Sequence, residues 1–190
     1  MMSQYESISD ETLIEAVRRG DGDAAVHLYR RHIDRVHRIC YRIVLDRAQV
    51  PDCVQEVWLR VFRNLGRFRR QGSFAAWLNS VAAHTAIDYY RHAKRRRRHA
   101  EMDDPRVEAL EVEPPANDRR LDGALMQRRI QDALAEITVN QRTAFVLRYL
   151  EGMALPDIAR VLGCRQGTVR THIRRCLLSL RARLAVELKK

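Results

Sequence analysis

Apolar residues recur every three or four positions along most of this 190-residue chain, and the recurrence is lost in one place. Leu28, Val36 and Ile43 are examples from one such segment. This spacing lines one face of an α-helix, so each segment predicts a helix with a single buried stripe. The interruption spans Glu101–Asn117, where prolines and acidic side chains replace the pattern. That composition is typical of a flexible linker rather than of a packed element.

The interruption divides the chain into two helical halves. We therefore predict an all-α fold of two small domains, residues 1–99 and 119–190, joined by a flexible acidic linker over residues 100–118. Helix-capping signals agree with this division: Ser9 and Ser73 each precede a helical stripe. Thr138 with Gln141 fits a capping box for a later helix.

The formal net charge of +11 predicts attraction to polyanions, although a solvated basic surface would have the same charge. There is no apolar run near 18 residues and no secretory leader pattern, so we expect a soluble, cytoplasmic protein.

None of the four cysteines has C-x-x-C spacing, which argues against a zinc knuckle. Reduced, buried thiols are the preferred interpretation; a redox or metal-sensing role is the alternative.

The segment from Leu155 to Leu184 has the pattern of a helix-turn-helix. Gly163 permits the left-handed residue of a tight turn, and Val169 and Ile173 share one inward face of the second helix. The outward side chains of that second helix are suited to base edges and phosphates. They are Arg165, Gln166, Thr168, Arg170, Thr171, His172, Arg174 and Arg175. An ordinary helical hairpin with a basic exterior is the structural alternative, but turn, core and outward chemistry together favour DNA binding.

Two segments of the N-terminal half carry further signals. Residues 51–62 place Asp52, Gln55 and Glu56 on one polar helix face, opposite an apolar stripe. Residues 72–90 join aromatic side chains to a helix that ends in a basic run, a combination that suits unstacked bases and a single-strand backbone. The alternative is that these aromatics only fill the core, and for Trp77 we prefer it.

These elements, in this order and at this spacing, resemble those of the extracytoplasmic-function (ECF) sigma factors, small two-domain subunits of bacterial RNA polymerase. The element D-x-x-Q-E-x-x-x-x-x-F, followed by R-F, resembles sigma region 2.2. The element G-S-F-x-x-W-L, running into D-x-x-R, resembles regions 2.3 and 2.4. The helix-turn-helix with Y-L-E-G and G-T-V-R resembles region 4. The resemblance covers almost the whole chain outside the linker.

The resemblance implies a role for each matched segment. Asp52, Gln55 and Glu56 would dock on the β′ clamp helices of core RNA polymerase, and region 4 would meet the β flap. The residues that would open and read the −10 promoter element are Arg67, Arg70, Ser73, Phe74, His84, Asp88 and Arg91. The outward side chains of the helix-turn-helix would read the −35 element. The resemblance also implies an anti-sigma factor as regulator, with a membrane anchor as one option. It implies neither enzymatic activity nor a cofactor.

The sequence departs from the family pattern at three points. His84 stands where Asn is expected, Arg174 where an apolar or aromatic residue can occur, and residues 137–139 lack a proline pair. The first departure bears on which base is preferred in the −10 element, the second on which sequence is preferred in the −35 element, and the third on the turn before the helix that follows.

The acidic linker, with Glu108, Glu111 and Glu113, either mimics a nucleic-acid strand in the polymerase channel or is a solvated spacer. The rival functions are a stand-alone helix-turn-helix regulator and, with less support, an RNA-binding protein.

Overall fold

The computed structural model describes residues 8–68, 72–103, 133–134 and 137–187, and the regular structure of these residues is helical throughout. The all-α prediction is therefore confirmed. The α-helices are α1 (Asp10–Arg18), α2 (Gly22–Val44), α3 (Val50–Asn64), α4 (Phe74–Asp103), α5 (Val139–Phe145), α6 (Leu155–Leu162) and α7 (Gln166–Glu187). Short 3₁₀ turns cover Arg47–Gln49 and Leu65–Arg67, and a π-helical turn covers Val146–Leu150.

Two of the three expected caps form. The Ser9 hydroxyl accepts the amide of Thr12 at 3.3 Å, and the Ser73 hydroxyl accepts the amide of Ala76 at 3.2 Å. Each satisfies an amide that the first helical turn leaves without an intrahelical partner. The Thr138 capping box was wrong, because the Thr138 side chain makes no capping hydrogen bond. The chain before α5 is held instead by the guanidinium of Arg142, described below.

The N-terminal helices pack around α2, which lies against α1, α3 and α4. Leu28, Val36 and Ile39 of α2 are fully buried. Small residues of α4, among them Ala82 and Ala86, are also fully buried and let the two backbones approach closely. Residues from each of these helices share one hydrophobic core. The predicted apolar stripes are thus confirmed as the inner faces of a helical bundle.

The C-terminal helices form a second bundle in which α7 packs against α5 and α6. Ile158 and Val169 are fully buried between them. The chain does not continue as an α-helix after α5, because α5 passes at Phe145 into the π-helical turn Val146–Leu150. Gly163 adopts the left-handed conformation, with φ of 59°, as the helix-turn-helix pattern predicted.

Arg142 joins the two bundles. Its side chain is 0% exposed and donates to the carbonyls of Leu134 and Ile137 at 2.9 and 3.2 Å within the C-terminal bundle. It also donates to the carbonyl of Ile43, near the end of α2, at 2.7 Å. The guanidinium carbon lies 4.8 Å from the ring centre of Tyr90 on α4. One buried cation therefore satisfies backbone acceptors of both bundles.

A second contact between the bundles is an ion pair. The guanidinium of Arg35 on α2 lies 3.3 Å from the carboxylate of Glu151, whose side chain is only 2% exposed. Burial raises the pKa of Glu151, although the charges of Arg35, Arg38 and Arg42 act in the opposite direction. The desolvation penalty of the charged carboxylate therefore exceeds the stabilisation that the three arginine charges give it.

Helix α4 reaches Asp103, four residues past the predicted domain boundary at residue 99. Ala100, Glu101 and Met102 favour helix, and the first proline of the linker comes only at Pro105. The rest of the predicted linker, and most of the helix predicted from Arg119, lie outside the described residues. In the ranges that are described, no helix is both long and apolar enough to cross a membrane.

The four thiols are free. Cys40, Cys53 and Cys176 are buried, as predicted, but Cys164 is half-buried and lies in the turn between α6 and α7 rather than on a helix. A hydrogen bond with Cys53, together with burial, raises the pKa of Cys40, which keeps that thiol protonated and unreactive.

Candidate nucleic-acid interface

The second helix of the helix-turn-helix, α7, has one face in the core and one in solvent. Val169 and Cys176 are 0% exposed and Ile173 is 8% exposed, so every fourth residue or so faces inward. Seven of the eight side chains predicted to face outward are exposed on or just before this helix, and His172 is the exception. His172 is half-buried; burial, and secondarily the charge of Arg175, lower its pKa, so its imidazole is neutral at pH 7. The exposed face therefore presents arginine guanidinium groups and the Gln166 amide as hydrogen-bond donors, with the neutral imidazole of His172 among them.

A polar and aromatic stripe follows α4. Its members recur every three or four residues and therefore share one helix face. They are Trp77, Ser80, His84, Asp88, Arg91 and Arg95. At 1.5 Å per residue the stripe is about 27 Å long. Of the predicted −10 residues, His84 and Arg91 are exposed on it and Asp88 is half-buried.

One end of the stripe opens into a cavity of about 510 Å³, which we call the α4 cavity. Its walls come from the loop before α4, from the first turns of α4, and from two residues of α6. They are Arg67, Phe68, Gly72, Ser73, Ala76, Trp77 and Ser80, with Asp157 and Arg160 of α6. Two predicted −10 residues, Arg67 and Ser73, are thus brought together here. Arg70 lies outside the described residues.

Phe74 does not belong to this surface. Its side chain is 1% exposed and contacts the rings of Phe68 and Trp77, with centroids 5.7 and 5.8 Å away. The prediction that Phe74 contacts DNA is therefore corrected: it supports the cavity wall from behind. Trp77, for which we preferred a core role, is half-buried and lines the cavity. The two aromatics exchange the roles that the sequence predicted.

The other end of the stripe is basic. Arg91, Lys94 and Arg95 line a depression of about 550 Å³ together with Asp88 and His92. Asp88 is 3.4 Å from Arg60, which also binds Glu56 at 2.7 Å. The hydrogen bond that Arg60 donates to the Glu56 carboxylate raises the pKa of Arg60. Arg60 therefore couples the stripe to the polar face of α3.

On that polar face, Asp52 and Gln55 are exposed and Glu56 is half-buried. Two apolar residues of α3, Leu59 and Phe62, are 43% and 38% exposed beside it. The predicted polymerase-binding residues thus lie on one accessible face, next to apolar side chains that the bundle does not cover.

A second uncovered apolar region lies on the C-terminal bundle. It is a groove of about 760 Å³ whose apolar walls include Phe145, Tyr149, Leu177 and Leu178. Tyr149 and Leu178 are 56% and 55% exposed. We call this the α7 groove. In the described part of the chain, no cluster of three or more His, Cys, Asp or Glu side chains could hold a metal ion.

Comparisons with known proteins agree with this geometry. Residues 28–96 match the family model for sigma-70 region 2, and residues 127–180 match the model for sigma-70 region 4. The chain is 31% identical over 175 residues to the ECF RNA polymerase sigma-E factor of Haemophilus influenzae, covering 88% of this chain and 91% of that protein. The chain belongs to the ECF sigma factors. The first match contains α3 and the α4 stripe, and the second contains α6 and α7 as far as Leu180.

Two solved structures share the fold of this sigma factor. One is CnrH in complex with the cytosolic domain of CnrY, with a TM-score of 0.66, 23% identity, and coverage of 93% of this chain and 97% of that one. The other is RpoE of Bartonella quintana in complex with the anti-sigma factor NepR, with a TM-score of 0.66, 21% identity, and coverage of 83% and 94%.

Sequence reasoning missed several residues of the candidate interface. Ser80 could have been found, because it lies one helical turn from both Trp77 and His84. Asp157 and Arg160 could not, because they reach the α4 cavity only through the packing of the two bundles. The α7 groove could not be predicted either, because its exposed apolar residues have the same helical spacing as the buried ones.

Proposed function

We propose that this sigma factor binds core RNA polymerase and directs initiation at promoters that it selects through a −35 and a −10 element. The observation that carries the proposal is the pair of exposed basic surfaces, one on α7 and one along α4 beside an aromatic-walled cavity. A member of this family with both surfaces has a reader for duplex DNA and a reader for open DNA. It acts as a binding subunit in the cytoplasm, not as an enzyme.

The α7 face would read the −35 element in the major groove. Arginine can donate two hydrogen bonds to guanine and glutamine can pair with adenine, so Arg170 and Gln166 are suited to base edges. Arginines at the margins of the face would bind phosphates and set the position of the helix on the duplex. Arg174 would take part in base selection, where an apolar residue is otherwise expected.

The α4 stripe would hold the −10 element in its open form. A base turned out of the stack would enter the α4 cavity, where the half-buried Trp77 offers an aromatic surface for stacking. Unstacking costs a few kcal/mol per base, which stacking and the cavity's hydrogen bonds must offset. Arg91 and Arg95 would bind the backbone of the same strand.

Core polymerase would bind on two surfaces. The polar face of Asp52, Gln55 and Glu56, with the exposed Leu59 and Phe62 beside it, would dock on the β′ clamp helices. The α7 groove would receive an apolar segment of the β flap, since it exposes large apolar side chains such as Tyr149 and Leu178 side by side. Opposite charges across the first contact would speed association and fix its orientation.

We further propose control by an anti-sigma factor. A neighbour of the same fold was solved with an anti-sigma factor bound. The uncovered apolar residues of α3 and of the α7 groove are suited to such a protein, which would compete there with polymerase. A membrane-anchored regulator is one form it could take.

Promoter-specific transcription tests the proposal. The purified chain is added to core RNA polymerase with a library of genomic fragments, and run-off transcripts are sequenced. We expect defined start sites that core enzyme alone does not use. Replacing Asp52, Gln55 and Glu56 together by Ala should abolish them, whereas Glu11→Gln, an exposed acid of α1, should not.

A stand-alone regulator would bind DNA without conferring initiation on core enzyme, and that result would refute the proposal. DNA binding by the holoenzyme should weaken with salt at a log–log slope near −0.9 per neutralised phosphate. Preference for structured RNA over promoter duplex in direct competition would favour the RNA-binding alternative.

A further inference from the structure

The guanidinium of Arg18, at the end of α1, binds the backbone where the chain leaves α3. Its Nη2 donates to the carbonyl of Leu65 at 2.9 Å and to the carbonyl of Phe68 at 2.6 Å. Its Nε also faces the Leu65 carbonyl, at 3.3 Å. Its Nη1 donates to the carboxylate of Glu15 at 3.0 Å, one turn earlier on α1. All three donor atoms of the side chain are therefore engaged.

The two carbonyls mark the entrance to the loop before α4. Leu65 begins the 3₁₀ turn that follows α3, and Phe68 is the residue after that turn. The backbone itself supplies one hydrogen bond here, from the amide of Phe68 to the carbonyl of Leu65 at 3.2 Å. Arg18 adds an external clamp across the same turn, so the direction in which the chain enters the loop depends on a side chain of α1.

Phe68 transmits this restraint to the α4 cavity. Its ring is 8% exposed and packs between Phe74 and Trp77, with ring centroids 5.7 and 5.4 Å away. Phe68, Trp77 and the adjacent Arg67 all line the cavity. Arg18 is not among the lining residues and holds the wall through the Phe68 carbonyl.

We propose that Arg18 is a positioning residue for −10 base selection: it fixes the Phe68 side of the α4 cavity and thereby sets which base the cavity accepts. The proposal rests on the function proposed above. Arginine suits the task because its planar fork can serve two carbonyls and a carboxylate at once. Lysine, a point charge on a flexible stem, would bind one or two of these acceptors with less fixed geometry.

The test measures base discrimination by the reconstituted holoenzyme. A promoter from the run-off experiment is prepared with an intact −35 duplex and a premelted −10 segment, in which each position carries each of the four bases in turn. The ratio of initiation rates between the best and worst base is compared among wild type, Arg18→Lys, Arg18→Gln and Arg19→Gln. Arg19 is the matched control, because it is the exposed neighbour and loses the same charge.

A misplacement of about 1 Å can cost about 100-fold in rate, so we expect Arg18→Gln to reduce the best-to-worst ratio by about tenfold. Arg18→Lys should give an intermediate ratio, and Arg19→Gln should match wild type. A merely structural role for Arg18 would lower initiation equally for all four bases. That outcome, or a wild type without base preference at these positions, overturns the proposal.

Two controls keep the outcomes separate. Near-ultraviolet circular dichroism and thermal unfolding show whether each variant is folded; if Arg18→Gln does not fold, the ratio for Arg18→Lys decides alone, and an unchanged ratio refutes the proposal. A wild-type holoenzyme that initiates nowhere would instead refute the proposed function. Selective initiation with an unchanged ratio in both Arg18 variants would refute only the role of Arg18.

Discussion

Replacing Arg142 by Met tests whether one buried cation holds the two bundles together. Methionine has a similar length and no charge, so the change removes the donors while limiting the cavity that it leaves. In wild type the guanidinium serves the carbonyls of Leu134, Ile137 and Ile43. The first two belong to the C-terminal side of the chain, and the third belongs to α2.

The expected loss of stability follows from the three carbonyl acceptors that lose their donor. A hydrogen bond to a charged group contributes about 1.5–3 kcal/mol, and a buried acceptor left without a donor costs about 1–3 kcal/mol. Part of this is offset, because burial lowers the pKa of Arg142 and so disfavours the charge that the substitution removes. We therefore expect the free energy of unfolding to fall by about 3 kcal/mol, which is a large share of the 5–15 kcal/mol typical of native proteins.

Urea unfolding followed with two probes is the suitable assay. Both tryptophans, Trp58 and Trp77, lie in the N-terminal bundle, whereas far-ultraviolet circular dichroism reports helices of both bundles. For docked bundles the two transitions should coincide; in Arg142→Met the dichroism should begin to change at lower urea than the fluorescence. Arg170→Met, an exposed change on α7, is the control. If the two curves still coincide in Arg142→Met and its midpoint equals that of the control, Arg142 does not join the bundles.

Three further changes have definite expected outcomes. Gly163→Ala should destabilise the chain by about 1–2 kcal/mol in urea unfolding, because Gly163 has φ of 59°; Gly167→Ala, at a helical position without that strain, should be neutral or slightly stabilising. The hydrogen bond from His32 holds the pKa of Asp10 below its ordinary value near 3.8, so its stabilising contribution is present above that pH and is lost as the pH falls through the lower, folded-state pKa. Asp10→Asn should therefore cost about 1 kcal/mol at pH 7 and progressively less below pH 3.8, and a constant difference between those conditions would contradict this origin. Leu178→Asp should weaken binding to core polymerase in a pull-down, because Leu178 lines the α7 groove.

The helix-turn-helix was predictable from the sequence because its determinants are local. Gly163 allows the left-handed turn, and the separation of Val169 and Ile173 places both on the buried side of α7. The stripe on α4 was predictable in part for the same reason. The exchange of roles between Phe74 and Trp77 was not, because residues three apart on a helix border the same surface. Which of them is covered depends on Phe68, which reaches them from outside the helix.

The contacts between the bundles depend on pairs far apart in the chain. Arg142 and Ile43 are separated by 99 residues, and nothing in the spacing around Arg142 distinguishes a buried arginine from an exposed one. Arg35, Arg38 and Arg42 contribute to the basic charge of the chain, and that charge predicts affinity for nucleic acid. In the structure Arg35 instead pairs with the carboxylate of Glu151, and the charges of Arg38 and Arg42 act on the same group. Composition described the charge correctly but could not assign its partner.

The energetics of the two interdomain contacts bear on promoter binding. Burial raises the pKa of Glu151 even with three arginines nearby, so desolvation offsets part of what its pair with Arg35 contributes to docking. Arg142 donates to carbonyls of both bundles, and burial lowers its pKa, so desolvation also offsets part of its contribution. While the bundles are docked, Asp157 and Arg160 of α6 line the α4 cavity. We expect the −10 strand to displace this α6 wall, and the free energy of undocking is then subtracted from the binding of that strand. Arg142→Met should therefore raise the affinity of the free chain for a −10 single strand while lowering its stability.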